Sequence, residues 1–120
     1  MIDPNTLARD YLAVWNDADD ASRDRRLAAN WRADACYADP MMQGEGRDGI
    51  ATMISAARTQ FPGHAFTLRG TPDMHGHFVR FSWTLAPDGG SAVATGTDVV
   101  RLDAEGRIAE VIGFLDGSAA

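Results

Sequence analysis

The chain has 120 residues, a length that fits one domain over residues 1–120. Its apolar fraction of 45% and charged fraction of 23% are those of an ordinary globular protein, which excludes a disordered chain. Acidic residues number 17 and basic residues 11, and the net charge of -6 disfavours nucleic acid and anionic lipid surfaces as partners.

A cytoplasmic protein is predicted from three further features. The single cysteine, Cys36, cannot form an internal disulfide, and residues 1–10 lack the basic and then apolar pattern of a signal peptide. No apolar run approaches the roughly 20 residues that a membrane span needs. We therefore expect no membrane partner, and buried packing as the role of Cys36.

Two helices are predicted before the first strand. Asp3 can cap the first helix at Pro4, and the apolar spacing that follows puts Tyr11 and Trp15 on one face. The second helix begins near Ser22. Its buried side is predicted to carry Leu27, Ala28 and Trp31, and its water-facing side Arg23, Arg25 and Arg26.

A short strand is predicted next, at residues 36–39, and the Asp39-Pro40 step ends it. By strand alternation, Tyr37 and Asp39 point to the same side. A loop with three glycines then leads to a third helix over about 48–60. The apolar side of this helix carries Ile50, Met53, Ile54 and Ala57.

After residue 63 the apolar period changes from that of a helix to that of a strand. Phe66 and Leu68 begin the alternation, and segments 78–85, 91–102 and 108–115 continue it, with turn sequences between them. This pattern predicts a meander of about four antiparallel strands. Helices grouped on one face of such a sheet make an α+β domain, and a strongly curved sheet would leave a hollow between the layers.

Asp98 is the informative anomaly of the meander. It shares the more apolar face of its predicted strand with Gly96 and Val100. If this face borders the hollow, the carboxyl group must find hydrogen-bond partners or remain protonated. In the alternative interpretation, Asp98 lies near a rim and bonds a backbone amide or an arginine.

The order of elements resembles that of a known superfamily. Helix, helix and strand are followed by Tyr-Ala-Asp-Pro at 37–40, Gly-Arg-Asp-Gly-Ile at 46–50 and a meander that ends over 96–116. Together these features look like the SnoaL-like group of the nuclear transport factor 2-like superfamily. The resemblance implies a cone-shaped, curved antiparallel β-sheet packed against three N-terminal helices, a cystatin-like α+β barrel. Members include polyketide cyclases, ketosteroid isomerases, epoxide hydrolases, dehydratases and non-catalytic binding domains, so the fold alone does not decide the function.

Ketosteroid isomerase gives the sharpest comparison within that superfamily. Residues 11–19, YLAVWNDAD, are similar to its first-helix motif and imply Tyr11 as an oxyanion donor. Asp39 before Pro40 matches its general base, and Asp98 matches its second oxyanion-hole residue. The resemblance implies proton abstraction next to a carbonyl group, in which Asp39 takes the proton while Tyr11 and a protonated Asp98 stabilise the enolate. No cofactor is expected.

Departures from the isomerase pattern argue against a steroid as the substrate. The connection between the first two helices is longer, and three tryptophans could fill much of the hollow. Each site residue also has a structural interpretation, since Tyr11 could be a core tyrosine and Asp39 could simply begin a turn. The predicted substrate-binding residues are Trp15, Trp31, Met41, Ile54, Phe81, Trp83, Val100 and Leu115.

A metal site is not predicted. His75 and His77 have a spacing that could place both on one strand face, but the glycine between them indicates a hairpin turn, and a third ligand is not evident.

Two functional classes remain open on the sequence. One is a cofactor-independent isomerase, cyclase or dehydratase that acts on a small hydrophobic carbonyl compound. The other is a non-catalytic ligand-binding or dimerisation domain. The resemblance also implies a homodimer, formed through the outer sheet face that carries Thr95, Thr97, Val99 and Arg101.

Overall fold

The computed structural model describes residues 2–116 and confirms the predicted α+β architecture. Its elements follow the predicted order, with one short strand added before the third helix. In chain order they are α1 (Pro4–Asn16), α2 (Asp20–Asn30), β1 (Trp31–Ala38), β2 (Gln43–Glu45), α3 (Gly46–Gln60), β3 (His64–His75), β4 (Phe78–Pro87), β5 (Ala94–Leu102) and β6 (Ile108–Leu115).

The six strands form one sheet in the order β2-β1-β6-β5-β4-β3. The meander from β3 to β6 is antiparallel, as predicted, but β1 pairs with β6 in parallel. The sheet is therefore mixed, and its two edges, β2 and β3, do not pair to close a barrel. Apolar alternation within a strand reports which face is buried and carries no information about the direction of the neighbouring strand.

Irregular pairing bends the sheet around the helices. Register shifts interrupt β1 between Trp31 and Cys36 and β3 between Arg69 and Asp73. Bulges of this kind bend a strand and increase its twist. At the β3 edge, the Asn16 side chain donates to the Phe66 carbonyl and accepts from the Phe66 amide, both at 2.8 Å, and so fixes the end of α1 against the sheet.

The second helix differs most from its prediction. Trp31 does not continue α2, because its extended backbone makes it the first residue of β1. Leu27 and Trp31 are buried, as predicted, but Ala28 is exposed. Arg23 is buried instead of facing water, because its guanidinium donates to Asp20 at 2.8 Å and to the Asp17 carbonyl at 2.7 Å.

The predicted glycine loop contains β2, and α3 begins at Gly46, before the predicted start. A Cβ atom on Gly44 would lie 3.1 Å from the Gly49 carbonyl oxygen, so glycine lets β2 lie directly on the first turn of α3. This contact places the start of α3 beside the end of β1. None of the helices within residues 2–116 is long and apolar enough to span a membrane.

Candidate active site

A cavity of about 600 Å³ lies between α3, α1 and the concave face of the sheet. Its volume falls in the range of small-molecule sites. The side of α3 that faces it carries mostly small residues at helical spacing: Gly49, Thr52, Met53, Ala56, Ala57 and Gln60. Four of these six residues are small, which leaves room between α3 and the sheet.

Aromatic rings line one wall of this cavity without filling it. Phe66 contacts Trp15 and Trp83 edge to face, with ring centroids 5.3 and 5.2 Å apart, and Trp15 contacts Tyr37 at 5.5 Å. A Cβ atom on Gly96 would overlap the Trp83 indole, so glycine at this position lets the indole lie across β5. The rings therefore pack against one another and against the sheet.

Four of the predicted substrate-binding residues border the cavity, and four do not. Those that border it are Trp15, Met41, Trp83 and Leu115. Those behind it in the core are Trp31, Ile54, Phe81 and Val100. Trp31 and Phe81 contact the Tyr11 ring, at centroid distances of 5.7 and 5.0 Å, and so hold this tyrosine in place.

Tyr11 and Asp98 form a buried hydrogen-bonded pair at the cavity. Both border it, yet only 1% of Tyr11 and 2% of Asp98 is exposed. The Tyr11 hydroxyl donates to Asp98 Oδ2 at 2.6 Å, while Oδ1 has no hydrogen-bond partner within residues 2–116. No salt bridge in the described part of the chain includes Asp98, so the arginine partner of the alternative interpretation is not found there.

Burial raises the pKa of Asp98 to about 6, against the opposing effects of the Tyr11 hydrogen bond and of the nearby Trp83 indole N–H. The negative charge of Asp39 adds to the increase. Burial and the neighbouring Asp98 also raise the pKa of Tyr11 well above its usual value, so this hydroxyl keeps its proton. Asp98 can therefore switch between acceptor and donor near neutral pH, whereas Tyr11 is a permanent donor.

Tyr37 and Asp39 form a second pair, at the end of β1. The Tyr37 hydroxyl donates to Asp39 Oδ2 at 2.5 Å, and the backbone amides of Met41 and Met42 donate to Oδ1 at 2.8 and 2.9 Å. Burial raises the pKa of Tyr37, so it too remains a donor. The alternation of β1 correctly placed both side chains on one side, but it did not reveal their bond.

The two pairs meet at Gly113 of β6, which the sequence did not single out. Gly113 lies opposite Asp98 in the β5–β6 pairing. A Cβ atom on it would lie 2.9 Å from Asp98 Oδ1, 3.0 Å from Asp39 Cβ and 3.4 Å from the Tyr37 hydroxyl oxygen. Glycine thus makes room for both carboxyl groups. A glycine inside an apolar strand is a sequence signal of such close approach.

The opposite end of the cavity carries polar residues that sequence reasoning also missed. Arg58 and Gln60, from the last turn of α3, border it together with His64, the first residue of β3. Arg58 directly follows Ala57, a residue on the predicted apolar side of the helix, and this position could have indicated that Arg58 lies near the cavity. The sequence does not show that the cavity extends to the end of α3.

The remaining candidates lie apart from this site. His75 and His77 are exposed, and residues 2–116 contain no cluster of three or more His, Cys, Asp or Glu that could hold a metal ion. Cys36 is half-buried, and burial together with the charge of Glu110 raises the pKa of its thiol. A raised pKa disfavours the reactive thiolate.

The buried carboxyl group predicts a pH dependence of stability. An unfolded chain loses the Asp98 proton near pH 3.8, whereas the folded protein keeps it until about pH 6. Stability should therefore fall as the pH rises through this interval and stay constant above it, and the complete loss is about 3 kcal/mol. We expect Asp98→Asn to remove this loss.

Urea unfolding of both proteins between pH 4 and 8 measures the effect. The free energy of unfolding of the Asn variant, minus that of the wild type, should increase with pH and level off above pH 6. Asp17, whose pKa is lowered to about 2 by hydrogen bonds from Ser22 and Arg26, affects both proteins alike. A difference that does not vary with pH would show that folding does not raise the pKa of Asp98.

Comparison with known proteins places the chain in a family of similar domains. The family model described as SnoaL-like domain matches residues 8–111. Among solved structures, a proposed isomerase of the SnoaL-like family from Agrobacterium tumefaciens is 55% identical, with a TM-score of 0.90, over 93% of this chain and 96% of that one. The comparison with curated proteins found no match.

More distant structures share the fold. A proposed SnoaL-like polyketide cyclase from Jannaschia sp. CCS1 is 16% identical, with a TM-score of 0.71, over 93% of this chain and 86% of that one. A protein of unknown function with a cystatin-like fold, from Methylobium petroleophilum PM1, is 22% identical, with a TM-score of 0.74, over 98% of this chain and 78% of that one. At these identities the likeness concerns the fold alone.

Proposed function

Because the chain belongs to the SnoaL-like family, we propose that its cavity is the active site of a cofactor-independent enzyme. The proposed chemistry is acid-base proton transfer on a hydrophobic carbonyl compound, as in an isomerase, a cyclase or a dehydratase. The observation that carries this proposal is the meeting of two tyrosine-carboxyl pairs at Gly113, inside one largely apolar cavity.

Asp39 is the proposed general base. A carboxylate has about four lone-pair positions, and three donors already point at Asp39, which leaves one position on Oδ2 for a substrate proton. The backbone amides of Met41 and Met42 hold the carboxylate in a fixed orientation. A base fixed in this way removes a proton from the carbon next to the carbonyl group, and the electron pair of the C–H bond moves into the enolate.

Tyr11 and Asp98 are the proposed stabilisers of the enolate oxygen. The Tyr11 hydroxyl carries one proton, which it donates to Asp98 Oδ2 in the free protein, so this hydroxyl turns to the enolate oxygen when the substrate is bound. A hydrophobic ligand that fills the cavity displaces water from Asp98 and raises the pKa of this buried carboxyl further. In the complex, Asp98 is then protonated at neutral pH and can donate from Oδ1, the atom that has no partner within the described residues. Asp39 finally returns its proton to the same carbon or to another one, which gives exchange or isomerisation.

A non-catalytic ligand-binding role is the second candidate. It is favoured by the burial of Tyr11 and Asp98, which leaves little of either group exposed to a ligand. In that case the pairs would only hold the sheet and α1 together around a storage cavity.

One set of substrates separates the two candidates. A β,γ-unsaturated ketone, a β-hydroxyketone and a dicarbonyl compound undergo isomerisation, dehydration and cyclisation, and all three reactions pass through an enolate. We expect the protein to bind these compounds, which raises its melting temperature, and to convert at least one of them, as seen by ultraviolet absorbance of the conjugated product. Binding without any conversion would favour the storage role.

The proposal also includes a cytoplasmic location and a homodimer, and the outer sheet face supports the homodimer. Ile112 and Phe114 of β6 are 38% and 54% exposed on that face, beside Val99 and Thr97 of β5. Apolar side chains next to small polar ones are typical of protein interfaces.

A further inference from the structure

The cavity has two chemically different ends. It follows α3 from Gly49 to Gln60, a distance of about 16 Å at the helical rise per residue. Gly49 lies against Gly44, which pairs with Tyr37, so this end of the cavity is the one with the carboxyl groups. Arg58, in the last turn of α3, borders the other end.

Most N–H groups of the Arg58 guanidinium make no hydrogen bond within residues 2–116. Its Nη1 donates to the Trp15 carbonyl at 2.9 Å, in the last turn of α1, and this is the hydrogen bond that its guanidinium makes within residues 2–116. Seven of the eleven arginines pair with a carboxylate, but no salt bridge in the described part of the chain includes Arg58. A half-buried arginine that borders a cavity, with no acidic partner within residues 2–116, is suited to bind an anionic oxygen group.

We propose that the ligand carries a carboxylate at the end opposite its carbonyl group, and that Arg58 binds this carboxylate. The inference rests on the proposed function, because it takes the carbonyl group to lie at the Asp39 end. It names the substrate class as keto acids with an apolar middle. The wall between the two ends suits such a middle, since Met53, Ala57, Phe66 and Leu85 line it.

Charge would also orient the ligand in the cavity. With a net charge of -6, the protein as a whole repels anions, so an anionic group needs a local cation. The charge of Asp39 repels the carboxylate from one end, and the charge of Arg58 attracts it at the other. The two effects together place the carbonyl group next to Asp39 instead of the reverse.

A matched pair of ligands tests the proposal. The probes are a medium-chain fatty acid with a ketone next to its terminal methyl group and the methyl ester of the same acid, with affinities measured by calorimetry at low salt. Charge-assisted hydrogen bonds should make the wild-type protein bind the acid about tenfold more tightly than the ester. In Arg58→Gln this preference should disappear, and in Arg58→Lys part of it should remain.

Arg25→Gln is the control, because it removes the same charge from an exposed position on α2 that does not border the cavity. It should leave the preference unchanged. Each preference is the ratio of two affinities, for the acid and for the ester, measured on one protein. A loss of stability in Arg58→Gln lowers both affinities alike and does not change their ratio. Equal binding of acid and ester by the wild type would overturn the proposal, and so would a preference that survives Arg58→Gln.

The two proposals can fail separately. A preference for the acid without any proton transfer on the ketone would contradict the catalytic proposal and leave the assignment of Arg58 standing. If the protein binds the acid and the ester with equal affinity and still transfers a proton on both ketones, the catalytic proposal stands and the assignment of Arg58 fails.

Discussion

Asp39→Asn should lower the rate of proton exchange next to the carbonyl group of a bound ketone by a factor on the order of 10²–10⁴, the usual contribution of a general base. The amide cannot accept a proton at neutral pH, yet it has nearly the shape of the carboxylate. Its oxygen can still accept from the Met41 and Met42 amides, and its nitrogen can donate to Tyr37. The fold should therefore be kept, and the loss should appear in catalysis.

Asp34→Asn is the matched control for this prediction. Asp34 lies on the same strand, β1, but its side chain is 73% exposed and pairs with Arg32 at the surface. Exposed ion pairs of this kind contribute about 0–1 kcal/mol, so neither stability nor exchange should change much. Nuclear magnetic resonance of the ketone in deuterated buffer measures the exchange, and circular dichroism checks the fold of both variants. Exchange that continues at the wild-type rate in Asp39→Asn would remove Asp39 from the role of base.

Tyr11→Phe should lower the same rate by roughly 10²–10³, the typical cost of losing one oxyanion donor. It should also destabilise the protein by about 1–3 kcal/mol, because Asp98 Oδ2 loses its donor in a buried environment. The phenyl ring keeps the contacts with Trp31 and Phe81, so the core should remain packed.

A double-mutant cycle with Asp98→Asn distinguishes a catalytic pair from a merely structural one. If the two residues act on the same enolate oxygen, Tyr11→Phe should cost much less catalysis in the Asp98→Asn background than in the wild type. Stability lost without any change in exchange would assign the pair to folding alone.

The fold could be predicted because local chemistry determined most of its elements. Asp3 does cap α1, where its side chain accepts from the Asn5 amide, and the change of period after residue 63 does mark the start of the meander from β3 to β6. The parallel pairing of β1 with β6 could not be predicted, since it depends on how distant segments meet. Trp31 was misplaced because its apolar side chain fits a helix stripe as well as the start of a strand.

The candidate site could be predicted only in part, for a similar reason. Alternation along β5 correctly put Asp98 on the inner face, but its contact with Tyr11 joins residues 87 positions apart. Phe81 and Trp83 both lie on the inner face of β4. Alternation along that strand does not show that Trp83 borders the cavity and that Phe81 packs behind it. Gly113 contributes by having no side chain, which a search for reactive groups does not detect.

Deuterium uptake by a hydrophobic ketone in deuterated buffer, with the protein in excess, tests the proposed chemistry most directly. Exchange is the step common to isomerisation, cyclisation and dehydration, so the assay does not require the natural substrate. We predict that deuterium enters the carbon next to the carbonyl group in proportion to the wild-type protein present, and only at the background rate with Asp39→Asn. Binding of the ketone in the cavity without uptake above background would contradict it.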